Sequence, residues 1–176
     1  TLEDFTWRTG GGASFLGDAI GGTPTIQAGI DYWPDTGTQR TLASCSDGTL
    51  RKDNGSGASW VTLASGLTTS GQVAGWVIGG AESQGRNRKA FHFDRINSVR
   101  VLSGDGASMT VITSPPADWA GANQPAVLAI HQGAMFGGGN GNAPHTLYAS
   151  LVADHEDFLG TPYSLLIGPE PGEEYI

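Results

Sequence analysis

Glycine and proline interrupt this chain so often that an amphipathic helix has almost nowhere to form. Glycine alone accounts for 28 of the 176 residues, where about 7% is usual. No stretch of about a dozen residues free of glycine and proline carries apolar side chains at all of i, i+3, i+4 and i+7, the spacing of a helix that buries one face. The closest match to this spacing is formed by Tyr148, Leu151 and Val152, but the fourth position of the pattern is His155, which is not apolar. The sequence therefore predicts an all-β fold, with one short helix after Pro144 left open.

Short runs suited to strands alternate with turn residues along most of the chain. Asp-Gly and Asn-Gly favour hairpin turns because the central residues of these turns need positive φ. They divide residues 40–63 into a three-stranded antiparallel meander, and a second meander follows over residues 73–112. The polar stretch GGAESQGRNR (79–88) is predicted to be a loop, and the two prolines of SPPADWAGANQP (114–125) predict a long crossing. A third unit begins at AVLAI, turns at HQG and returns in HTLYAS.

Meanders of roughly 40–60 residues joined by turns suggest the blades of a β-propeller, and a β-sandwich or jelly roll is the alternative. The predicted organisation is an extended Gly/Pro/Thr-rich segment (1–38) with a short strand near Thr25–Ile30, a propeller-like domain (39–160) and a C-terminal segment (161–176). Propellers typically have at least four blades, whereas this chain has residues for about three. Its start without methionine and its ending GPEPGEEYI fit a piece of a larger assembly, completed by other chains or by further polypeptide.

The charge balance and the cysteine content exclude several classes of protein. The formal net charge is −8, and the only basic cluster is RNRK with Arg95 nearby, so nucleic acid is not expected as the main ligand. No apolar run is long enough to span a membrane, and TLEDFTWRTG is not a signal peptide. The single Cys45 excludes an internal disulfide and a multi-cysteine zinc site, and it is expected to be a small buried strand residue.

Residue types used in catalysis and metal binding are concentrated between residues 131 and 158. They are His131, His145, His155, Ser150, Asp154, Glu156 and Asp157. Imidazole and carboxylate suit zinc, but the spacing places no two histidines on one face of a rigid element. Serine, histidine and aspartate suit a hydrolase, but the nucleophile motif G-x-S-x-G is absent. Hydrogen bonding at turns and between blades is the favoured interpretation. We predict no catalytic, cofactor-binding or metal-binding residue.

Three further motifs are better explained by structure than by ligand binding. GGGNGNAPH approaches the calcium-binding nonapeptide, but Ala143 replaces its aspartate and the motif occurs once rather than as an array. RKDNGSGASW resembles the Asp-box of sialidase-like propellers at Asp53 and Gly55, although Trp60 comes two residues late. Trp60, Trp76 and Trp119 are expected to pack within or between blades rather than to form a sugar platform.

An ordered series of motifs in the C-terminal half resembles tailed-bacteriophage virion proteins, in particular tail and head-to-tail proteins that contain propellers. The series is Gly104-Asp105-Gly106, TVITSPPADW, Pro125, IHQGAMFGGG and APHTLYASLVADHEDF. It covers about Val99 to Phe158, a third of the chain, and CSDGTLRKDNGSG adds a match to the preceding blade. Ala134 stands where the family usually has arginine, which removes the side chain for a salt bridge there.

The resemblance implies a non-enzymatic structural subunit of the virion, in the tail or at its junction with the head. The implied partners are other virion proteins and copies of the same chain. The expected contact elements are residues 1–34, the crossing at 114–125 and the C-terminal GPEPGEEYI. The alternative is a carbohydrate-binding or glycan-cleaving propeller, such as a receptor-binding tail component whose partner is a host surface glycan.

Overall fold

The structure is a computed structural model that describes residues 24–34, 38–55, 59–69, 74–81, 86–158 and 163–166. These residues contain twelve β-strands and no helix. The all-β prediction is therefore confirmed. The short helix left open after Pro144 is a strand, β11, in the structure.

The twelve strands form three antiparallel sheets, each a meander of four consecutive strands. The first sheet contains β1 (Ile26–Tyr32), β2 (Arg40–Cys45), β3 (Leu50–Asp53) and β4 (Trp60–Ala64). The middle sheet contains β5 (Gly75–Ala81), β6 (Arg86–Phe93), β7 (Arg100–Ser103) and β8 (Thr110–Val111). The third sheet contains β9 (Val127–His131), β10 (Ala134–Gly138), β11 (Thr146–Ala149) and β12 (Tyr163–Leu166).

Turn chemistry sets several of the hairpins. Gly48, with φ 74°, lies in the turn between β2 and β3, where the Asp47 carboxylate accepts the Thr49 amide at 3.1 Å. Between β9 and β10 both central residues, Gln132 and Gly133, have positive φ (47° and 77°). That geometry matches the right-handed twist of the paired strands, so the turn predicted at HQG is present and is a two-residue hairpin loop.

One feature of the sheets differs from the sequence prediction. The stretch 79–88 is predicted to be a loop, but β5 continues to Ala81 and β6 begins at Arg86, and residues 82–85 lie outside the described residues. The prediction is wrong for residues 79–81 and 86–88 because pairing of Gly79 with Lys89 and of Ala81 with Arg86 supplies strand hydrogen bonds to residues of low strand propensity. The short strand predicted near Thr25–Ile30 is confirmed as β1, which pairs with β2 from Ile26 to Tyr32, and β12 pairs with β11. The boundaries at residues 38 and 160 stay a prediction.

The sheets stack in chain order, and alternating residues of the middle sheet pack in opposite directions. Ala90 and Leu102 contribute to the core against the first sheet, whereas Phe91 and Val101 contribute to the core against the third. The first strand of each sheet lies against the next first strand, β1 on β5 and β5 on β9. Stacked four-stranded meanders are also the pattern of propeller blades. Closure into a propeller stays a prediction.

Candidate functional site

The three histidines near the C-terminus lie in different environments. His131 is exposed at the end of β9, His145 is exposed just before β11, and His155 is buried. Within the described ranges, no group of three His, Cys, Asp or Glu side chains is arranged to hold a metal ion. The structure therefore does not bring the candidate zinc ligands together.

Ser150 and His155 both bond to the backbone of the third sheet. The Ser150 hydroxyl accepts the Met135 amide at 2.9 Å and donates to the Leu151 carbonyl at 3.0 Å. Burial lowers the pKa of His155, and a hydrogen bond to the Gly133 backbone opposes that shift. The Ser150 hydroxyl thus links β10 to the segment that follows β11, which is a structural role.

The acidic loop around His155 joins the middle sheet to the third. Lys89 of β6 and Glu156 form an ion pair at 2.5 Å, and Asp154 accepts the Glu156 amide at 3.2 Å. The Ser114 amide donates to the Glu156 carbonyl at 3.2 Å, and the Phe158 amide donates to Ser114 at 3.0 Å. These contacts fit the predicted turn and inter-blade hydrogen bonding.

An ion cluster between the first and middle sheets was not predicted from the sequence. The Asp105 carboxylate lies 2.7 Å from the Arg40 guanidinium and 2.6 Å from the Lys52 ammonium. Lys52 also donates to the backbone carbonyls of Asp105 and Gly106, at 3.0 and 2.8 Å. The hydrogen bond from Arg40, followed by that from Lys52, lowers the pKa of Asp105 to about 2. The turn between β7 and β8 is thereby fastened to the first sheet.

The Asp-box-like residues belong to the same region of the first sheet. Asp53 accepts the Gly55 amide at 2.8 Å and the Thr41 amide at 2.5 Å, and its partner across the strand pair is Trp60. The Arg40 guanidinium approaches Gly55 so closely that a Cβ there would lie 1.8 Å from its Nη1. Glycine at 55 thus makes room for the arginine of the ion cluster.

The crossing between β8 and β9 is anchored to the third sheet through Trp119. This buried ring lies 5.8 Å from Tyr148 and 4.8 Å from Phe158, between centroids. A Cβ on Gly137 would lie 2.5 Å from the Trp119 ring, so glycine at that position creates the space for it. Trp60 and Trp76 are half-buried and pack against the cores. The packing role predicted for Trp119 is confirmed by its burial.

Polar contacts complete this anchor. The Tyr148 hydroxyl donates to the Asp118 carboxylate, and burial together with this bond raises the pKa of Tyr148 to about 12. The side-chain amides of Asn140 and Asn142 donate to the Asp118 carbonyl at 3.1 and 3.3 Å. The glycine-rich loop after β10 therefore holds the crossing in place.

A cavity of about 20 Å³ lies between the first and middle sheets, with room for about one water molecule. Its lining includes Ser44, Thr49, Thr68, His92 and Asp94, and the backbone around Cys45. Burial raises the pKa of the Cys45 thiol, which keeps it protonated at neutral pH and unsuited to nucleophilic attack. Its burial confirms the prediction of a buried strand cysteine.

His92 occupies the buried centre of a row across the middle sheet, between its strand partners Trp76 and Arg100. The Trp76 ring lies 4.9 Å away, between centroids. Burial lowers the pKa of His92 to about 4, the Asp94 carboxylate opposes the shift, and the Arg100 guanidinium reinforces it. His92 is therefore neutral at pH 7 and acts as a core residue.

Lowering the pH from 7 to 4 should reduce the free energy of unfolding by roughly 3 kcal/mol through His92 alone. Its folded pKa of about 4 lies below the unfolded value near 6.5, so the unfolded state takes up the proton first. Stability is complete above about pH 6.5 and is lost as the pH falls toward 4. Urea midpoints measured across this range should change less in His92→Phe than in the wild type. His145→Phe, at an exposed position, should keep the wild-type profile, and equal profiles for all three proteins would contradict the assignment.

The two outermost faces of the stack carry exposed apolar side chains. Val127 of β9 is 59% exposed on the third sheet, and Ile26 of β1 is 56% exposed on the first. Trp33, directly after β1, is 48% exposed.

No helix within the described residues is long and apolar enough to cross a membrane. Comparison with protein-family models, curated proteins and solved structures gives no match to this chain.

Proposed function

We propose that the chain is a non-enzymatic structural subunit of a tailed phage particle, located in the tail or at the head-to-tail junction. The observation that carries the assembly role is the exposure of Ile26, Trp33 and Val127 at the two ends of the sheet stack. Large apolar side chains exposed on a sheet face that no described strand covers are suited to protein contact. Assignment to a virion rests on the motif series from Val99 to Phe158.

The placement of the polar side chains supports a role without catalysis. Ser150, Glu156 and Asp105, which belong to types used in hydrolases, bond to backbone groups or to cations across neighbouring elements. The cavity between the first two sheets has room for about one water molecule, and its lining residues belong to the packed interface of those sheets. The described residues are thus organised around cohesion of the three sheets.

The test is immunogold labelling of purified particles of the phage whose genome encodes the chain, with antibodies raised against the recombinant protein. Label at the tail or the neck is expected, together with detection of the chain in the particles by mass spectrometry. Preimmune serum is the labelling control. A chain that is abundant in infected cells but missing from purified particles would refute the proposal.

A glycan-binding tail module is the second candidate because the ring of Trp33 is half exposed, and such rings can stack on sugars. A glycan array probed with the purified chain decides between the candidates. Binding that is lost in Trp33→Ala and retained in Trp60→Ala would favour the glycan module. An array without hits would leave the structural role as the better explanation.

A further inference from the structure

The two internal interfaces of the stack are built in the same way. The face of the first sheet that carries Tyr32 and Leu42 packs on the middle sheet, and the face of the middle sheet that carries Phe91 packs on the third. In both interfaces the first strands meet, β1 with β5 and β5 with β9. Each sheet therefore presents a forward face to the sheet that follows and a rear face to the one before.

The forward face of the third sheet can be identified from its register. Leu128, Ile130 and Met135 face the middle sheet, so the alternate residues of β9 and β10 point away from it. Strand pairing places Val127 beside Gly138, and Ala129 beside Phe136, on that outward face. Val127 and Ala129 are exposed and Phe136 is half-buried. The equivalent faces of the other two sheets are covered by a following sheet.

The rear face of the first sheet carries both apolar and charged side chains where β1 crosses it, since Asp31 pairs with Thr41 and lies on this face. Leu42 faces the middle sheet, so Ala43 and Cys45 point the other way, where they pack with Trp60. Ile26 pairs with Cys45 and shares this face. Trp33 continues the line of β1. The rear face thus presents exposed Ile26 and Trp33 near the two ends of β1, with Asp31 between them. The forward face of the third sheet presents exposed Val127 and Ala129 along β9, followed by His131.

We infer that the forward face of the third sheet docks on the rear face of the first sheet of a second copy, and that two copies close into a ring of six sheets. The inference rests on the proposed assembly role and specifies its partner. Because both open faces present a first strand, this contact would repeat the arrangement of the two internal interfaces. Propellers contain about four to eight blades. One copy supplies three sheets, two supply six, and a third copy would exceed the range.

The first measurement is the mass of the 176-residue chain by light scattering across a dilution series. We expect about twice the chain mass of 18.2 kDa. Val127→Arg should weaken association tenfold or more, because a charge would be buried in the interface. Val111→Arg is the matched control, since Val111 is 43% exposed but lies on β8 of the middle sheet, away from both open faces. Thermal melting of each variant checks that it remains folded.

A mixing experiment distinguishes head-to-tail docking from pairing of two third sheets. Ile26→Arg should also give monomers, since it alters the rear face of the first sheet. Mixing Ile26→Arg with Val127→Arg leaves one of the two interfaces intact, so a dimer should reappear in the mixture. If Ile26→Arg alone stays dimeric, the contact is between like faces and the inference is wrong.

The remaining outcomes also decide the question. A 176-residue chain that stays monomeric at high concentration overturns the inference. Such a monomer found in purified particles would leave the structural role standing. A dimer with the predicted variant pattern that is missing from particles would refute the virion role and keep the interface.

Discussion

Trp119→Ala is expected to lower the free energy of unfolding by about 4 kcal/mol, the cost of removing a large buried aromatic side chain. Trp119 is 4% exposed and fills the space between Tyr148 and Phe158. Gly137 leaves this space open to it, and no neighbouring side chain can refill the cavity without backbone movement. The loss also removes the apolar part of the contact between the crossing of residues 114–125 and the third sheet, while the polar contacts of Asp118 remain. Urea denaturation at pH 7, followed by fluorescence and circular dichroism, measures the change.

Two further variants test whether the loss of stability comes from removing the buried Trp119 ring. Trp119→Phe keeps an aromatic ring in the same space and should cost about half as much. Val152→Ala changes a side chain that is 73% exposed and should stay within about 0.5 kcal/mol of the wild type. Equal stabilities of Trp119→Ala and Val152→Ala would show that the crossing is not anchored by this ring.

Asp105→Asn should cost about 2 to 3 kcal/mol, since it leaves the buried Lys52 ammonium without a carboxylate partner. This expected loss is at or below the smallest values usual for breaking a buried ion pair. The reason is that the Asp105 side chain is 28% exposed, so water screens part of the attraction. Lys52 keeps its bonds to the carbonyls of Asp105 and Gly106, which limits the loss further. Chemical denaturation of the variant and the wild type gives the difference.

The matched control is Asp47→Asn. Asp47 pairs with Arg51 at 2.7 Å within the first sheet, where its side chain is 35% exposed, and the change should cost less than about 1 kcal/mol. The double variant Lys52→Met with Asp105→Asn removes both charges and should be more stable than the sum of its single changes predicts. Strict additivity would mean that the two side chains do not interact in solution.

The same carboxylate predicts an acid-dependent loss of stability. Its folded pKa of about 2 lies below the ordinary value near 4, so the unfolded state binds the proton first as the pH falls. The stabilisation is complete above about pH 4 and disappears between pH 4 and 2. Asp105→Asn should lack this component, whereas the His92 contribution at higher pH should persist in that variant.

The positions of most strands followed from the sequence because they depend on neighbouring residues. Asp47-Gly48 and Gln132-Gly133 are turns that each place a glycine where the backbone needs positive φ, and they define the hairpins on either side. The predicted loop at 79–88 failed because glycine and arginine form a strand there only when a partner strand supplies the hydrogen bonds. β12 was missed since its four residues carry little signal of their own.

The contacts among candidate site residues were not visible in the sequence. Lys52 and Asp105 are 53 residues apart, and neither residue lies in a motif that indicates the other. Asp53, identified by its resemblance to an Asp-box, instead bonds to neighbouring amides beside this cluster. Ser150, His155 and Asp157, which are close in sequence, could have been a catalytic set or a structural loop. Only their hydrogen bonds show which groups each side chain contacts.

By itself, the sequence determined that the chain is all-β, where most of its strands and turns fall, and that Cys45 is buried. These properties arise from local backbone preference and from the alternation of side chains along each strand. The tertiary structure decided that three sheets stack through their first strands, that Arg40 and Lys52 converge on Asp105, and that apolar residues remain exposed at both ends. These features depend on which faces meet, and that is set by packing between segments about 50 residues apart, which no local pattern encodes.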